Sequence, residues 1–143
     1  MSEQGLWTYL QGLVPRGQYT RIESSDTGPG FPDVHFQLAT GHSGTIELKD
    51  SHTPRRIPPF KNYDDGLHVS QLAWIKENVS MGGTVWIVAR VGRAVHWIPG
   101  RKASKFNGCE SLSEIATLTI DGTIGNVDIQ IIRKMLSGDY NDE

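Results

Sequence analysis

The chain has 143 residues and a mass of 15.9 kDa, which is enough for one domain with a buried core. Hydrophobic residues make up 37% and charged residues 21%, a composition that excludes a disordered or membranous chain. The single cysteine, Cys109, excludes an internal disulfide and a zinc site built from several cysteines. The first ten residues lack the basic start and apolar stretch of a signal peptide, so we expect a cytoplasmic protein with no membrane partner.

The net charge of −2 conceals an asymmetry along the chain. Residues 1–105 carry 12 Lys/Arg and 9 Asp/Glu, a net +3, whereas residues 106–143 carry 2 and 7, a net −5. Five basic residues and no acidic residue lie between positions 90 and 106. A local basic surface on a nearly neutral chain is compatible with phosphate binding and equally with ordinary solvation.

The first third of the chain has patterns of one helix and one hairpin. Apolar residues recur at spacings of three and four, which predicts a short amphipathic helix over residues 5–13. Residues 19–23 fit either a short strand or a second piece of helix. Residues 24–32 contain two glycines and two prolines and predict a loop. The alternating segments 34–39 and 45–49 predict two strands joined by a tight turn.

The middle of the chain predicts a loop, a helix and two strands. Residues 50–66 contain three prolines and no clear periodicity, which is typical of a long functional loop. A helical pattern begins at Leu67 and ends at the Gly82-Gly83 turn. The apolar run 84–91 predicts a strand buried on both faces, and 94–99 predicts a further short strand.

Weaker patterns follow in the last third, where we expect short helices at 111–118 and 128–136 and a frayed end. The order of elements predicts a mixed α/β domain around one central sheet. We expect a single domain over residues 1–143, with its core at about 5–99 and an acidic C-terminal extension at 106–143.

Three polar residues stand where a strand pattern alone does not explain them. Asp33 opens the first hairpin strand, and Glu47 and Lys49 lie on the second. Because side chains alternate along a strand, Glu47 and Lys49 point to one face while Leu48 points to the core. Two carboxylates beside a lysine suit Mg²⁺ and the hydrolysis of a phosphodiester. The alternative is a surface strand that carries Glu and Lys for solubility.

The surroundings of these residues form an ordered set. The set consists of Arg21-Ile22-Glu23, Pro32-Asp33, Glu47-Leu48-Lys49, Gln71 and Gly82-Gly83, spread over about residues 19–91. In this order and spacing it resembles the PD-(D/E)XK nuclease superfamily, and within it the small phage or bacterial members of the VRR-NUC and Holliday-junction-resolvase-like branch. The resemblance implies a restriction-endonuclease-like core, in which helices flank a central mixed β-sheet.

The resemblance also implies a role for each residue of the motif. Asp33 and Glu47 would bind a Mg²⁺ ion, for which Mn²⁺ can substitute, together with the backbone carbonyl of Leu48. Lys49 would position or activate the attacking water. Two roles remain open for Glu23. It would reach the same metal, or it would pair with Arg21 on the surface.

Two further groups complete the expected site. Gln71 would line the site from the following helix, or be an ordinary solvated helix residue. A basic loop beside a metal site would hold the phosphate backbone, although the same charges also serve solubility. The residues expected to contact nucleic acid are Arg21, Arg55, Arg56 and Lys61.

The resemblance makes a metal-dependent DNA endonuclease the leading hypothesis. The chain leaves no room for a separate DNA-reading domain, so we expect selectivity for branched, junction or flap DNA. A symmetric homodimer would supply two active sites for a four-way junction. The alternatives are a non-catalytic nucleic-acid-binding module and a phage accessory or interaction protein that docks through residues 106–143. A phage-encoded protein would act in the host cytoplasm.

Overall fold

A computed structural model describes residues 3–22, 30–51, 57–62 and 65–138. Its helices are α1 (Glu3–Gln11), α2 (Val69–Ser80) and α3 (Asn126–Leu136). Its strands are β1 (Gly17–Arg21), β2 (Val34–Leu38), β3 (Ser43–Ser51), β4 (Val85–Val91), β5 (Ala94–Pro99) and β6 (Leu118–Asp121). Short 3₁₀ segments occupy Gly100–Lys105 and Leu112–Glu114.

The six strands form one sheet in chain order, β1 to β6. All neighbouring pairs are antiparallel except β3 and β4, which are parallel. A parallel pair needs a crossover connection, and α2 lies in the connection between these two strands. The predicted architecture, a central mixed sheet flanked by helices, is confirmed.

Side-chain alternation divides the core into two layers, one on each face of the sheet. On one face, Ile46 and Leu48 belong to the same buried cluster as residues of α1 and α3, and we call it the α1/α3 face. On the other, Ile87 and Ile98 share a cluster with Ile75 of α2, and we call it the α2 face. Glu47 and Lys49 alternate with Ile46 and Leu48 along β3, so they lie on the α2 face.

Some predicted elements differ from those in the structure. Residues 19–21 of the undecided segment 19–23 belong to a strand, β1, and β3 is longer than predicted at both ends. The helix predicted at 111–118 is wrong, since only one 3₁₀ turn forms before β6 begins. The segment after that turn alternates instead, and Ile120 is buried where β6 pairs with β5. That pairing outweighs the weak helical pattern.

The hydrophobic core continues into the C-terminal third of the chain. The sequence pattern predicts that it ends at about residue 99. Ile132 and Leu136 of α3 are fully buried on the α1/α3 face, and β6 completes the sheet. In the part of the chain that the structure describes, no helix has the length and apolar character needed to cross a bilayer.

Candidate active site

Asp33 lies immediately before β2 and beside Glu47 of β3. Val34 pairs with Ile46 in the antiparallel register, so one step further along Asp33 lies opposite Glu47. The Asp33 Oδ2 atom accepts a hydrogen bond of 2.8 Å from the Leu48 backbone N–H. The carboxylate therefore takes the position that a strand partner would occupy if β2 continued. This bond holds Asp33 at the edge of β3, next to Glu47.

The Leu48 carbonyl points toward the same edge. In a strand, the N–H and C=O of one residue point to the same neighbour, and the Leu48 N–H is directed at Asp33. In the continued register Leu48 lies opposite Pro32, which has no N–H to donate. The backbone geometry therefore leaves the Leu48 carbonyl directed toward the gap beyond β2, beside the Asp33 carboxylate.

Glu47, Lys49 and Gln71 form one hydrogen-bonded network. The Gln71 Nε2 donates to Glu47 Oε2 over 2.9 Å, and Lys49 Nζ donates to Gln71 Oε1 over 3.3 Å. Lys49 Nζ also lies 3.5 Å from Glu47 Oε2. Glu47 is only 1% exposed and Lys49 only 8%, so both charges are held in a partly dry environment. Pairing offsets part of the free-energy cost of removing each charge from water.

The start of α2 fixes the Gln71 amide. Its Oε1 also accepts a 2.8 Å hydrogen bond from the His68 backbone N–H, at the residue before the helix begins. This bond satisfies a donor at the helix N-terminus and sets which end of the amide faces Lys49 and Glu47. The expectation that Gln71 lines the site has this geometry in its favour.

The segment that leads into Asp33 packs directly on α2. Gly30 has a φ of 90°, and a Cβ there would collide with the Ser70 carbonyl. The ring of Phe31 packs edge-on against Trp74, with centroids 5.0 Å apart. Through this ring contact, Trp74 anchors the segment that leads into Asp33. The same helix thus positions both Gln71 and the Asp33 segment.

The donor atoms present suit a hard divalent cation. Asp33 and Glu47 supply carboxylate oxygens, and the Leu48 carbonyl faces the same gap. Mg²⁺ prefers oxygen donors and is commonly held by one or two carboxylates, with water and substrate phosphate as the other ligands. Within the described ranges, no group of three or more His, Cys, Asp or Glu side chains is placed to hold a metal. Glu23, the third expected carboxylate, lies outside the described residues.

In the described part of the chain, the residues expected to contact nucleic acid do not all lie beside the candidate site. Arg21 is exposed, but its register with Val34 and Ile46 directs it toward the α1/α3 face, away from Glu47. Lys61 is exposed and follows Phe60, which is buried on the α2 face. Arg55 and Arg56 lie outside the described residues.

A buried ion pair lies on the α1/α3 face of the sheet, opposite the candidate site. Asp50, next to Lys49, pairs in register with Arg90 of β4, at 3.4 Å for Nε–Oδ1 and 3.3 Å for Nη2–Oδ2. Burial raises the pKa of Tyr9 on α1, and the nearby Arg90 opposes that shift. The pair links the C-terminal ends of β3 and β4. Asp50 is not among the expected site residues, although its place beyond Leu48 in a period of two predicts an inward side chain.

His96 is a buried polar residue on the α2 face. Lys49 pairs in register with Ala89, and Ala89 with His96, so all three lie on the α2 face. The His96 Nδ1 lies 2.9 Å from the Thr119 hydroxyl. Burial lowers the pKa of His96, and Asp121 opposes that shift. His96 is only 8% exposed.

Comparison with known proteins gives a likeness to solved structures. No family model matches the chain, and no curated protein matches it. A solved structure of Hjc, a Holliday junction resolvase from the archaeal hyperthermophile Archaeoglobus fulgidus, superposes with a TM-score of 0.49. The sequence identity is 15%, and the alignment covers 96% of this chain and 98% of that one.

Proposed function

We propose that the protein is a Mg²⁺-dependent endonuclease that hydrolyses DNA phosphodiester bonds. The observation that carries this proposal is the convergence of Asp33, Glu47 and Lys49 at one edge of the sheet. Asp33 is held there by the Leu48 N–H, and Lys49 lies beside Glu47. The ordered motif around these residues resembles the PD-(D/E)XK superfamily. A strand carrying Glu and Lys only for solubility would not bury both of them.

The proposed chemistry follows from what each side chain can do. Asp33, Glu47 and the Leu48 carbonyl would hold Mg²⁺, which when bound would neutralise charge on the phosphate and acidify a water. Lys49 would hold the attacking water by hydrogen bonding and stabilise the negative charge that grows on the phosphodiester. Gln71 would act as a positioning residue, because it fixes Glu47 and Lys49 relative to each other.

The proposal extends to the substrate, the metal ligands, the oligomeric state and the origin of the protein. The chain would act on branched, junction or flap DNA, with Arg55, Arg56 and Lys61 near the phosphate backbone. Glu23 would add a third carboxylate to the metal site. A homodimer would present two active sites to a four-way junction. We also propose a phage or bacterial origin in the VRR-NUC branch and action in the cytoplasm.

The test is cleavage of labelled single-stranded, duplex, flap and four-way-junction DNA, with an RNA strand as comparison. Each is incubated with Mg²⁺, Mn²⁺ or EDTA. We expect cutting with either metal, none in EDTA, and a preference for a branched substrate. Metal-independent retention of DNA without cutting would instead support a binding module, and loss of all DNA binding would support an interaction protein.

The ligand assignment has its own test. Asp33→Asn and Glu47→Gln keep the shape of each side chain but remove a charge from the donor set. We expect each to lower Mg²⁺-dependent cleavage by at least about 100-fold, the scale of losing a ligand or its orientation. Folding is checked by the thermal unfolding midpoint. Wild-type cleavage by either folded variant would show that its carboxylate does not hold the metal.

A further inference from the structure

A cavity of about 190 Å³ opens on the α2 face beside the proposed active site. Its walls are partly apolar and partly polar. The residues that line it include Ile57, Pro59, Val91, His96, Glu110 and Ser113. Nothing in the proposed chemistry uses this cavity.

The register of the sheet places the cavity close to Lys49. His96 is reached from Lys49 by two lateral steps across the sheet, through Ala89. Neighbouring strands are about 4.8 Å apart, so the His96 backbone lies roughly 10 Å from that of Lys49. Val91 pairs with Ser51, two residues beyond Lys49 on the same face. The cavity and the proposed cutting site therefore share one surface.

The charges in the cavity disfavour a phosphate. Glu110 contributes a carboxylate, which repels the DNA backbone. Burial lowers the pKa of His96, so its imidazole is neutral at pH 7 and offers no compensating positive charge. An occupant that suits these groups is uncharged and carries polar edges.

A nucleobase has that chemistry. Its flat faces can contact apolar walls such as Ile57, Pro59 and Val91, and base–side-chain stacking tolerates any sequence. Its exocyclic amines can donate to a carboxylate, as cytosine N4 does to Glu or Asp side chains. The volume is below the roughly 300 Å³ at which pockets for drug-sized ligands begin, which suits one ring system.

We propose that this cavity accepts an unpaired base of the DNA strand that is cut, within about three nucleotides of the scissile phosphate. A base can enter only when it is unpaired or flipped out of the stack, and this costs least in single-stranded or branched DNA. The cavity would thus explain a preference for branched DNA. This inference rests on the proposed nuclease function and deepens it.

The experiment measures DNA binding in EDTA, so that no cleavage is required. A single abasic site is moved one nucleotide at a time through the unpaired arm of a flap, and the Kd is measured by fluorescence anisotropy. We expect one position at which loss of the base weakens binding by about 5- to 150-fold, the range for one stacked base. Glu110→Ala and Ser113→Trp, which remove the acceptor and fill the cavity, should abolish this discrimination.

The control variant is Glu114→Ala, which removes an exposed carboxylate from the same segment outside the cavity. Like the wild type, it should bind the flap more weakly when the base at that one position is missing. An abasic scan without effect, from a protein that still cuts intact flap DNA with Mg²⁺, would overturn the base cavity and leave the nuclease proposal standing. A protein that neither binds the flap in EDTA nor cuts it with Mg²⁺ would overturn both. Discrimination that survives Ser113→Trp would also reject the cavity as the base site.

Discussion

Replacing Gln71 by alanine removes the centre of the network that joins Glu47, Lys49 and the start of α2. Three hydrogen bonds are lost, at 2.9 Å to Glu47, 3.3 Å from Lys49 and 2.8 Å from the His68 N–H. Bonds to charged groups each contribute about 1.5–3 kcal/mol and neutral ones about 1 kcal/mol, so the three bonds together contribute about 4–7 kcal/mol. Gln71 is only partly buried and the Glu47–Lys49 contact survives, so water and that contact compensate for about half of this sum. We therefore expect the free energy of unfolding to fall by about 2–4 kcal/mol.

The effect on cleavage should be larger than the effect on binding. Without the amide, Glu47 and Lys49 are free to shift, and a misplacement of about 1 Å commonly costs 10²-fold in rate. Single-turnover cleavage with saturating DNA gives the rate constant, and anisotropy in EDTA gives the Kd. We expect the rate to fall by about 10²-fold while the Kd changes by less than about threefold, the pattern of lost transition-state interactions.

Gln37→Ala is the matched control, because Gln37 is an exposed glutamine on β2 whose amide makes only long hydrogen bonds, of 3.4 and 3.5 Å. It should change the free energy of unfolding by less than about 0.5 kcal/mol and leave cleavage intact. The reasoning is refuted if Gln71→Ala matches this control in both stability and cleavage rate. A Kd that weakens in parallel with the rate would instead make Gln71 a DNA contact.

Three further predictions concern the fold that supports the site. Asp50→Ala removes the carboxylate that pairs with the buried Arg90, so urea denaturation should show a loss of about 3–5 kcal/mol. Joint replacement of Asp50 by Leu and Arg90 by Met should restore most of that loss, and an equal loss in both variants would contradict the assigned pair. Among the described residues, the buried Thr45 hydroxyl has no hydrogen-bond partner, so Thr45→Val should leave the free energy of unfolding unchanged or raise it by up to about 1 kcal/mol. A clear loss would reveal a bond to that hydroxyl. Burial raises the pKa of Tyr19 from 10.0 to about 12, with Arg133 opposing the shift, so its share of stability is complete below pH 10 and is lost as pH rises toward 12. Tyr19→Phe should flatten that decline in urea titrations at pH 9 and pH 11, and an unchanged slope would reject the buried phenol as its source.

Local periodicity was enough to anticipate the strand that carries the site. A period of two along β3 puts Glu47 and Lys49 on one face, and the hairpin brings Asp33 next to Glu47, where the structure has it. Each of these inferences needs only neighbours in sequence or a tight turn. The same holds for the apolar run of β4, which pairs with β3 in the centre of the sheet.

Local sequence patterns do not predict contacts between distant parts of the chain. The orientation of Gln71 depends on where α2 crosses the sheet, which no local pattern encodes. The burial of Asp50 depends on an arginine 40 positions away in the parallel register. β6 forms because β5 offers an open edge, whereas its own four residues give only a weak strand signal. These are the features that turn a short motif into a defined site.

The most direct test of the proposed active site compares Lys49→Ala with Lys134→Ala in single-turnover cleavage of the preferred DNA at saturating Mg²⁺. Lys134 is an exposed lysine on α3, on the other side of the sheet, so its loss matches the change in charge but not the position. We predict that Lys49→Ala lowers the cleavage rate by about 10²–10³-fold, as expected for a lost electrostatic stabiliser, while Lys134→Ala cuts at the wild-type rate. Wild-type cutting by a folded Lys49→Ala protein, or no Mg²⁺-dependent cutting by the wild type, would contradict the assignment of this site as a nuclease centre.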